Sequence, residues 1–211
     1  MALEYEQSEI AHLMLHRPEW SDKEFDRSLD LYDSFVNCED SYVSPAIHEA
    51  LVCLDQAYKL FGPECVICSF NGGKDAVVIL HLVRAAHANY FRQKGSAPTK
   101  PRVIYFDHAN EFSEILALLS DNVDEYDLDM IAFEPGTKFA DGLKMLVDNN
   151  RVDEAAKRAA PLAFVLGTRS SDPNAGSQGN FAPSTMETMP PFMRVNPILS
   201  WTYGHVWHFI R

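Results

Sequence analysis

The segment with the clearest chemistry is residues 69–75, which reads Ser-Phe-Asn-Gly-Gly-Lys-Asp. An apolar, β-branched segment precedes it and a helix-patterned segment follows it, so the pattern predicts a strand that turns through two glycines into a helix. In α/β proteins this arrangement holds phosphate, because glycines let the backbone approach the anion and the helix N-terminus adds partial positive charge. Lys74 supplies a mobile cation, and Asp75 is suited to a divalent metal that bridges phosphates.

Two other phosphate-binding loops are excluded. The motif Gly-x-x-x-x-Gly-Lys-Ser/Thr does not occur, since Asp75 follows Lys74. The motif Gly-x-Gly-x-x-Gly is also absent, which disfavours a dinucleotide-binding Rossmann site. A tight turn that merely uses glycine is a weaker interpretation, because the strand, Asn-Gly-Gly, Lys and Asp all stand in order.

Two later segments carry further candidate groups. In residues 164–173, Gly167 permits close approach of a ligand, Arg169 can clamp a phosphate with two hydrogen bonds, and Asp172 can bind a metal or orient a donor. The alternative is that Asp172 and the following proline only start a turn. In residues 191–201, Arg194 stands beside apolar residues and suits an anionic, aromatic ligand, although a plain surface arginine is the default interpretation.

These groups must be positioned by regular elements. Residues 1–61 are predicted as helices, one capped by Ser21 or Asp22 and one opened by Pro45 and ended by Gly62, after a loose arm of about ten residues. From residue 64 onward the predicted strands lie near 64–70, 102–107, 129–134 and 162–167. The predicted helices lie near 74–94, 111–127, 137–150 and 203–211, with a short one near 152–159.

This β-α-β-α succession predicts an α/β fold with a parallel sheet and helices on both faces. Ligands then lie beyond the carboxyl ends of the strands, where residues 71–75, Asp107 and residues 167–172 emerge. We therefore expect Asp172 within about 15 Å of Asp75, the reach of one phosphate chain and its metal. The segment 170–191 is too long for an ordinary connection, and a substrate loop is favoured over a disordered one.

The composition of the chain disfavours several classes of function. The 211 residues suit one domain, and the formal charge of −12 argues against nucleic acid and anionic membranes. An acidic N-terminus without a signal core and the lack of a long apolar run predict a cytosolic protein with no membrane span. Four cysteines are too few for a disulfide framework, and we expect Cys65 and Cys68 to be buried, reduced and on opposite faces of a strand.

Together the motifs resemble those of eukaryotic FAD synthase, the FMN adenylyltransferase branch of the ATP pyrophosphatase, or PAPS reductase-like, superfamily. The resemblance rests on residues 70–75, 167–173 and 190–201 and covers about residues 45–211. It implies a Rossmann-like parallel sheet of the adenine-nucleotide α-hydrolase type with an N-terminal helical extension. The implied division is 1–61 for the extension and 62–211 for the nucleotidyltransferase domain, which is expected to lack the C-terminal segment of similar proteins.

The resemblance implies a monomer that converts MgATP and FMN to FAD and pyrophosphate, with Mg²⁺ at Asp75. The implied catalytic residues are Asn71, Asp75 and Asp172. The implied ATP- and phosphate-binding residues are Ser69, Phe70, Asn71, Gly72, Gly73, Lys74, Tyr105, Asp107, Gly167 and Arg169, and the FMN-binding residues are Met186, Glu187, Met189 and Arg194.

The chain departs from the family pattern at three places. Ala76 replaces a usual cysteine, the chain stops at Arg211, and Met186 and Met189 stand where the family has an Asp and a Trp that hold the flavin ring. Methionine packs on a ring edge but cannot stack as a plane, which weakens the expectation of flavin specificity. One alternative is therefore a nucleotide-binding regulatory module that has lost turnover.

The other alternative is a different enzyme of the same superfamily. A sulfonucleotide reductase needs a cysteine in its tail, and none occurs after Cys68. An RNA-thiolating enzyme needs a basic surface, contrary to the charge of −12.

Overall fold

The computed structural model of the protein describes residues 7–153, 158–159, 161–173, 175–184 and 189–211. The helices of this part are α1 (Gln7–Leu15), α2 (Asp22–Val36), α3 (Ser44–Phe61), α4 (Lys74–Lys94), α5 (Ser113–Glu125), α6 (Phe139–Asn149) and α7 (Tyr203–Ile210). The strands are β1 (Val66–Ser69), β2 (Arg102–Phe106), β3 (Asp129–Phe133), β4 (Arg151–Asp153), β5 (Arg158–Ala159), β6 (Ala163–Val165), β7 (Phe181–Pro183) and β8 (Met193–Val195). None of the helices in the described part has the length and apolarity that crossing a bilayer requires.

Six strands form one sheet in the order β3-β2-β1-β6-β8-β7. All neighbouring pairs are parallel except β7 with β8, which is antiparallel. The predicted α/β fold is confirmed, and its four predicted strands and four longer helices agree with the structure within two residues at each end. The sequence did not predict the antiparallel edge strand β7, which runs in the direction opposite to its neighbour β8.

The residues of β1 show why this sheet has helices on both faces. Val66 and Cys68 belong to one buried cluster, which they share with α3, α4 and α7. Cys65 and Ile67 belong to a second cluster on the opposite face, which is closed by α6 and α1. A strand buried on both faces needs a continuous apolar run, and β1 has one. The prediction that the two cysteines are buried, unpaired and on opposite faces is confirmed.

Helix α4 is the central helix of the fold. It begins directly after Gly73 and ends at Gly95, whose φ of 63° is the left-handed conformation that glycine adopts without strain. It packs against α2, α3 and α7, and most of its circumference is buried. Because both of its ends are fixed in this way, the residues of its first turn have a rigid support.

The N-terminal helices agree with the prediction except at the start of the chain. Helix α2 follows Ser21, and α3 begins at Ser44, one residue before the expected proline. The expected loose arm of about ten residues is wrong from Gln7 onward, because α1 begins there and buries Ile10 and Met14 in the second core cluster. The division into residues 1–61 and 62–211 stays a prediction.

The short helix predicted near residues 152–159 is wrong. The described residues of this segment form β4 and β5, which pair antiparallel with Arg151 opposite Ala159. Asn150, which ends α6, has an extended backbone with ψ of 98° and turns the chain out of the helical conformation. A helix of one or two turns has little stability without tertiary packing. For so few residues a short antiparallel pair is therefore the more stable arrangement.

Strands β7 and β8 were not expected from the sequence. Each has three residues, too few to show the alternation by which a strand is recognised. The predicted loop over residues 170–191 therefore contains one strand, with Pro183 at an edge where its missing N–H group disrupts no ladder.

A buried arginine fixes the amino end of the sheet. The Nε atom of Arg102 donates to Oδ2 of Asp129 at 2.7 Å, and Nη2 donates to the carbonyls of Leu13 and His16 at 2.6 and 2.9 Å. The Arg102 side chain is fully buried. It therefore joins β2, β3 and the end of α1 through one charged group.

We predict that Arg102→Met lowers the free energy of unfolding by about 3–5 kcal/mol, because it leaves the carboxylate of Asp129 without its buried partner. The matched control is Arg92→Met, which removes an exposed ion pair with Asp33 and costs at most about 1 kcal/mol. Urea unfolding of both variants measures the difference. Equal stability losses would contradict the role given to Arg102.

Candidate active site

The loop between β1 and α4 is held in a fixed shape by its own residues. The backbone N–H of Phe70 continues the ladder by donating to the carbonyl of Ile104 at 3.0 Å, and its ring is fully buried. Oδ1 of Asn71 accepts the N–H of Gly73 at 3.1 Å, which closes a tight turn. Gly72 has a φ of 72°, a conformation that most other residues adopt only with strain.

The first turn of α4 carries the two charged residues of this loop. Lys74 is the first residue of the helix, and its Nζ atom lies 2.7 Å from Oδ2 of Asp75. Both side chains are partly exposed, at 29% and 22%. A helix N-terminus with a lysine beside it is a favourable place for a phosphate group.

The second motif lies directly against the first. Gly167 follows β6, the neighbour of β1 in the sheet. A Cβ atom at position 167 would stand 3.1 Å from Cβ of Asp75 and 3.2 Å from its backbone carbonyl carbon. Gly167 is therefore needed for close approach of the two loops, and its predicted contact with a ligand stays a prediction.

Arg169 joins the two motifs. Its Nη2 atom donates to Oδ1 of Asp172 at 3.0 Å, its backbone N–H donates to Oδ2 at 2.8 Å, and its Nε atom lies 3.3 Å from Oδ1 of Asp75. Only 8% of Arg169 is exposed. The expected proximity of Asp172 and Asp75 is confirmed, since one guanidinium group contacts both.

The two motifs enclose a cleft of about 420 Å³ at the carboxyl ends of β1 and β6. Its lining residues are Ser69, Asn71, Gly73, Lys74, Asp75, Ala76, Leu166, Gly167, Thr168, Asp172 and Pro173. Five of the ten predicted ATP- and phosphate-binding residues thus lie around one space, whereas Phe70, Gly72 and Arg169 of the same two loops are not among the residues that line it. Thr168 and Leu166 are additions that the sequence interpretation did not single out.

Two predicted nucleotide-binding residues lie on the neighbouring strand, outside the lining of this cleft. The Tyr105 hydroxyl donates to Oδ1 of Asp107 at 3.3 Å. Burial, followed by the charge of Asp107, raises the pKa of Tyr105 to about 12, so its hydroxyl keeps its proton at neutral pH. Because β1 and β2 are parallel neighbours, both residues are at the same edge of the sheet as the cleft.

The predicted FMN-binding residues are not gathered around this cleft. Met186 and Glu187 lie outside the described residues. Met189 packs against the second core cluster, on the face of the sheet covered by α6. Arg194 donates from Nη1 to the carbonyl of Pro183 at 3.2 Å, and its guanidinium carbon lies 5.3 Å from the centre of the Phe192 ring.

One residue beside the loop was missed. The ring of Tyr203, at the start of α7, has its centre 5.7 Å from Nζ of Lys74. The two residues are far apart in the chain, and only the packing of α7 on α4 brings them together. Thr202, a helix-capping residue, was the only local signal that a helix begins there.

The structure also indicates which atoms a metal ion would use as ligands. Within the described residues no three His, Cys, Asp or Glu side chains form a ready metal-binding group. Oδ1 of Asp75 is nevertheless buried and accepts no hydrogen bond of good geometry. A single carboxylate oxygen, completed by phosphate oxygens and water, is a set of ligands that suits Mg²⁺.

Comparison with known families gives one match that spans most of the chain. The family described as phosphoadenosine phosphosulfate reductase domain matches residues 65–211. This range contains the cleft, both motifs that line it and the helix that carries Tyr203.

Curated relatives are similar over part of their length. A protein of Caenorhabditis elegans named probable FAD synthase is 28% identical over 165 residues, which are 78% of this chain and 29% of that protein. A protein of Schizosaccharomyces pombe with the same name is 26% identical over 158 residues, 74% of this chain and 56% of that protein. The chain thus spans between about a third and about half of the length of these relatives.

Solved structures share the fold. The Candida glabrata FMN adenylyltransferase in complex with FMN and the ATP analog AMPCPP has a TM-score of 0.73 at 20% identity, and the match covers 89% of this chain and 65% of that one. Yeast FAD synthetase in complex with FAD has a TM-score of 0.70 at 21% identity, covering 89% and 66%. The predicted type of fold is confirmed by these likenesses.

We predict that Gly167→Ala weakens the binding of MgATP by about tenfold, because the added methyl group must displace the backbone at the start of α4 or its own loop. Isothermal titration calorimetry measures the affinity. The control is Gly179→Ala, where the added atom meets only an ordinary contact of 3.5 Å. Equal affinities of the two variants would show that the close approach of the loops does not shape the site.

Proposed function

Since the chain belongs to the phosphoadenosine phosphosulfate reductase domain family, we propose that it transfers AMP from MgATP to the phosphate of FMN, giving FAD and pyrophosphate. The main support is Arg169, which contacts Asp75 of the first motif and Asp172 of the second. Relatives named FAD synthase favour FMN as the acceptor. Structural neighbours in complex with FMN and AMPCPP, or with FAD and pyrophosphate, are consistent with the same substrates and products.

In this proposal the phosphates of ATP lie in the cleft between the two motifs. The N-terminal turn of α4 offers backbone N–H groups, and Lys74 and Arg169 offer two side-chain cations. Residues 69–74 then hold the β- and γ-phosphates that leave as pyrophosphate. Asn71 contributes by fixing the turn, since its side chain accepts the N–H of Gly73.

The two acidic residues have different proposed roles. Asp75 would hold Mg²⁺: its Oδ1 atom accepts no hydrogen bond of good geometry and would exchange its 3.3 Å contact with Nε of Arg169 for the metal. When bound, Mg²⁺ neutralises charge on the leaving pyrophosphate. Both oxygens of Asp172 already accept hydrogen bonds from Arg169. Asp172 therefore orients the guanidinium group of Arg169 toward the phosphates.

The acceptor needs little activation. The FMN phosphate is mostly ionised near neutral pH, with a second pKa of about 6, so its oxygen attacks without a general base. The contribution of the protein is positioning and electrostatic stabilisation of the transferring phosphoryl group. This demand is met by the fixed loop geometry around Gly73 and by the buried guanidinium of Arg169.

The adenine ring is proposed to lie against the end of β2, near Tyr105 and Asp107. Arg194 is proposed to bind the phosphate of FMN, for which it must exchange its hydrogen bond to the carbonyl of Pro183. A charge-assisted bond to phosphate is stronger than a bond to a neutral carbonyl, so the exchange is favourable.

One observation favours a second candidate function. Met189 packs into the core and Arg194 is engaged with Phe192 and Pro183. A chain that keeps the phosphate cleft but lacks a flavin contact would bind MgATP without transferring AMP. Such a nucleotide-binding regulatory module is the alternative that the experiments below separate from the enzyme.

The proposed setting is a monomer in the cytosol. The four cysteines are free thiols, two of them on the central strand segment, which suits a reducing compartment. The charge of −12 disfavours nucleic acid as a partner.

The test of the proposal is direct synthesis. The protein is incubated with FMN, MgATP and inorganic pyrophosphatase, and the products are separated by chromatography with fluorescence detection. FAD is expected with FMN and not with riboflavin, which lacks the attacking phosphate. Saturable MgATP binding with no FAD in any reaction would favour the regulatory module.

We predict that Asp75→Asn lowers turnover at least a hundredfold while changing the dissociation constant of MgATP less than tenfold. The amide keeps the shape of the side chain but removes the charge that holds the metal, which matters most in the transition state. Steady-state kinetics and calorimetry measure the two effects. Asp148→Asn is the control, since that carboxylate pairs with Lys144 on the exposed side of α6. Normal turnover of Asp75→Asn would refute the metal role.

We predict that Arg194→Ala raises the dissociation constant of FMN about ten- to a hundredfold, as expected for the loss of a charge-assisted phosphate contact worth about 1.5–3 kcal/mol. The control is Arg27→Ala, which also removes a guanidinium group stacked near an aromatic ring, 5.4 Å from the centre of Tyr126. Flavin fluorescence quenching measures both affinities. The same FMN affinity in both variants would exclude Arg194 from the flavin site.

A further inference from the structure

Tyr203 is a large aromatic residue whose exposure is not explained by the core. It is 61% exposed and belongs to neither buried cluster of the described residues. Its ring contacts the ring of Trp207 edge to face, with centres 6.1 Å apart. Its other neighbour is the ammonium group of Lys74, 5.7 Å from the ring centre. The residue therefore contributes to the surface beside Lys74 rather than to the packing of the core.

The position of Tyr203 is fixed by the residues before it. Trp201 is buried, and its Nε1 atom donates to the carbonyl of Ala46 at 3.2 Å. Thr202 and His205 form a reciprocal cap, in which each side chain accepts the backbone N–H of the other residue. The first residue of α7 is thereby held opposite the first residue of α4.

Lys74 has two neighbours that compete for its ammonium group. One is Oδ2 of Asp75 at 2.7 Å, and the other is the face of the Tyr203 ring. An ammonium group within about 6 Å of a tyrosine ring is attracted by the negative face of the π-system. Without this ring the ammonium group of Lys74 would have one of these two partners only, the carboxylate that is proposed to hold the metal.

We propose that Tyr203 is a positioning residue for Lys74: its ring keeps the ammonium group beside residues 69–75, within reach of a bound phosphate chain. When the carboxylate of Asp75 turns to a metal, the ring remains as the partner that holds Lys74 in place. The phosphate chain as the target of Lys74 rests on the proposed function. The contact between Lys74 and Tyr203 does not depend on that proposal.

The first measurement uses the protein without added nucleotide. Acylation of Lys74 by acetic anhydride is followed by peptide mass spectrometry in the unmodified protein, in Tyr203→Leu and in Tyr203→Phe. Because an exposed contact of this kind is weak, its loss should raise the acylation rate by about two- to fivefold in the leucine variant. The phenylalanine variant keeps the ring face and should react like the unmodified protein.

A similar pair at the other end of the same helix provides the control. Nζ of Lys94 lies 5.6 Å from the centre of the Tyr90 ring. Tyr90→Leu should raise the acylation of Lys94 and leave that of Lys74 unchanged. Tyr203→Leu should raise the acylation of Lys74 and leave that of Lys94 unchanged.

The second measurement is kinetic. Tyr203→Leu should lower kcat/KM for MgATP by about two- to fivefold and leave the KM for FMN unchanged, and Tyr203→Phe should restore the normal value. A general structural defect would change the kinetic constants for both substrates, and Tyr203→Phe would not restore them.

The outcomes separate this proposal from the proposed function. Unchanged acylation of Lys74 in Tyr203→Leu, or failure of phenylalanine to restore it, would overturn the positioning role even if FAD is formed. The selective acylation pattern without FAD from any form of the protein would support the positioning role and overturn adenylyl transfer.

Discussion

The contact of one buried guanidinium group with two carboxylates is the interaction on which the site depends. Arg169 is 8% exposed and would be strongly unfavourable there without partners. Its partners, Asp75 and Asp172, come from loops that follow neighbouring parallel strands. Because Gly167 lets these loops approach closely, the guanidinium group reaches both carboxylates at once. The cleft is therefore shaped before any ligand enters it.

The scaffold around this contact keeps the start of α4 in one place. Helices α2, α3 and α7 pack along α4, so its first turn cannot tilt independently of the core. Between α2 and α4, a buried ion pair joins Glu24 to Arg84, whose guanidinium carbon lies 3.6 Å from the centre of the Tyr126 ring. Each of these contacts is remote from the cleft. Together they fix the direction of the helix N-terminus, on which the proposed phosphate binding depends.

The sequence predicted those parts of the fold that local pattern determines. The central strands have continuous apolar runs, and α4 starts and ends at glycines, so their bounds agree with the structure. Strands β7 and β8 depend on pairing with distant residues and have too little periodicity of their own. The same limit applies to the site. The loops at 69–75 and 167–172 were predicted to meet because parallel strands bring their carboxyl ends together, whereas the contact of Tyr203 depends on how α7 packs.

The charges at the cleft bear on the form of nucleotide that the proposed function requires. Lys74 and Arg169 carry two positive charges, and Asp75 and Asp172 carry two negative ones, so this set is formally neutral. A polyphosphate entering alone would add several negative charges to a partly buried region in which both cations already have carboxylate partners. A divalent cation that enters with the phosphates offsets this charge and gives Asp75 a partner other than Lys74, which frees the ammonium group for the phosphates. On electrostatic grounds the proposed function therefore requires a metal–nucleotide complex in the cleft rather than the free nucleotide.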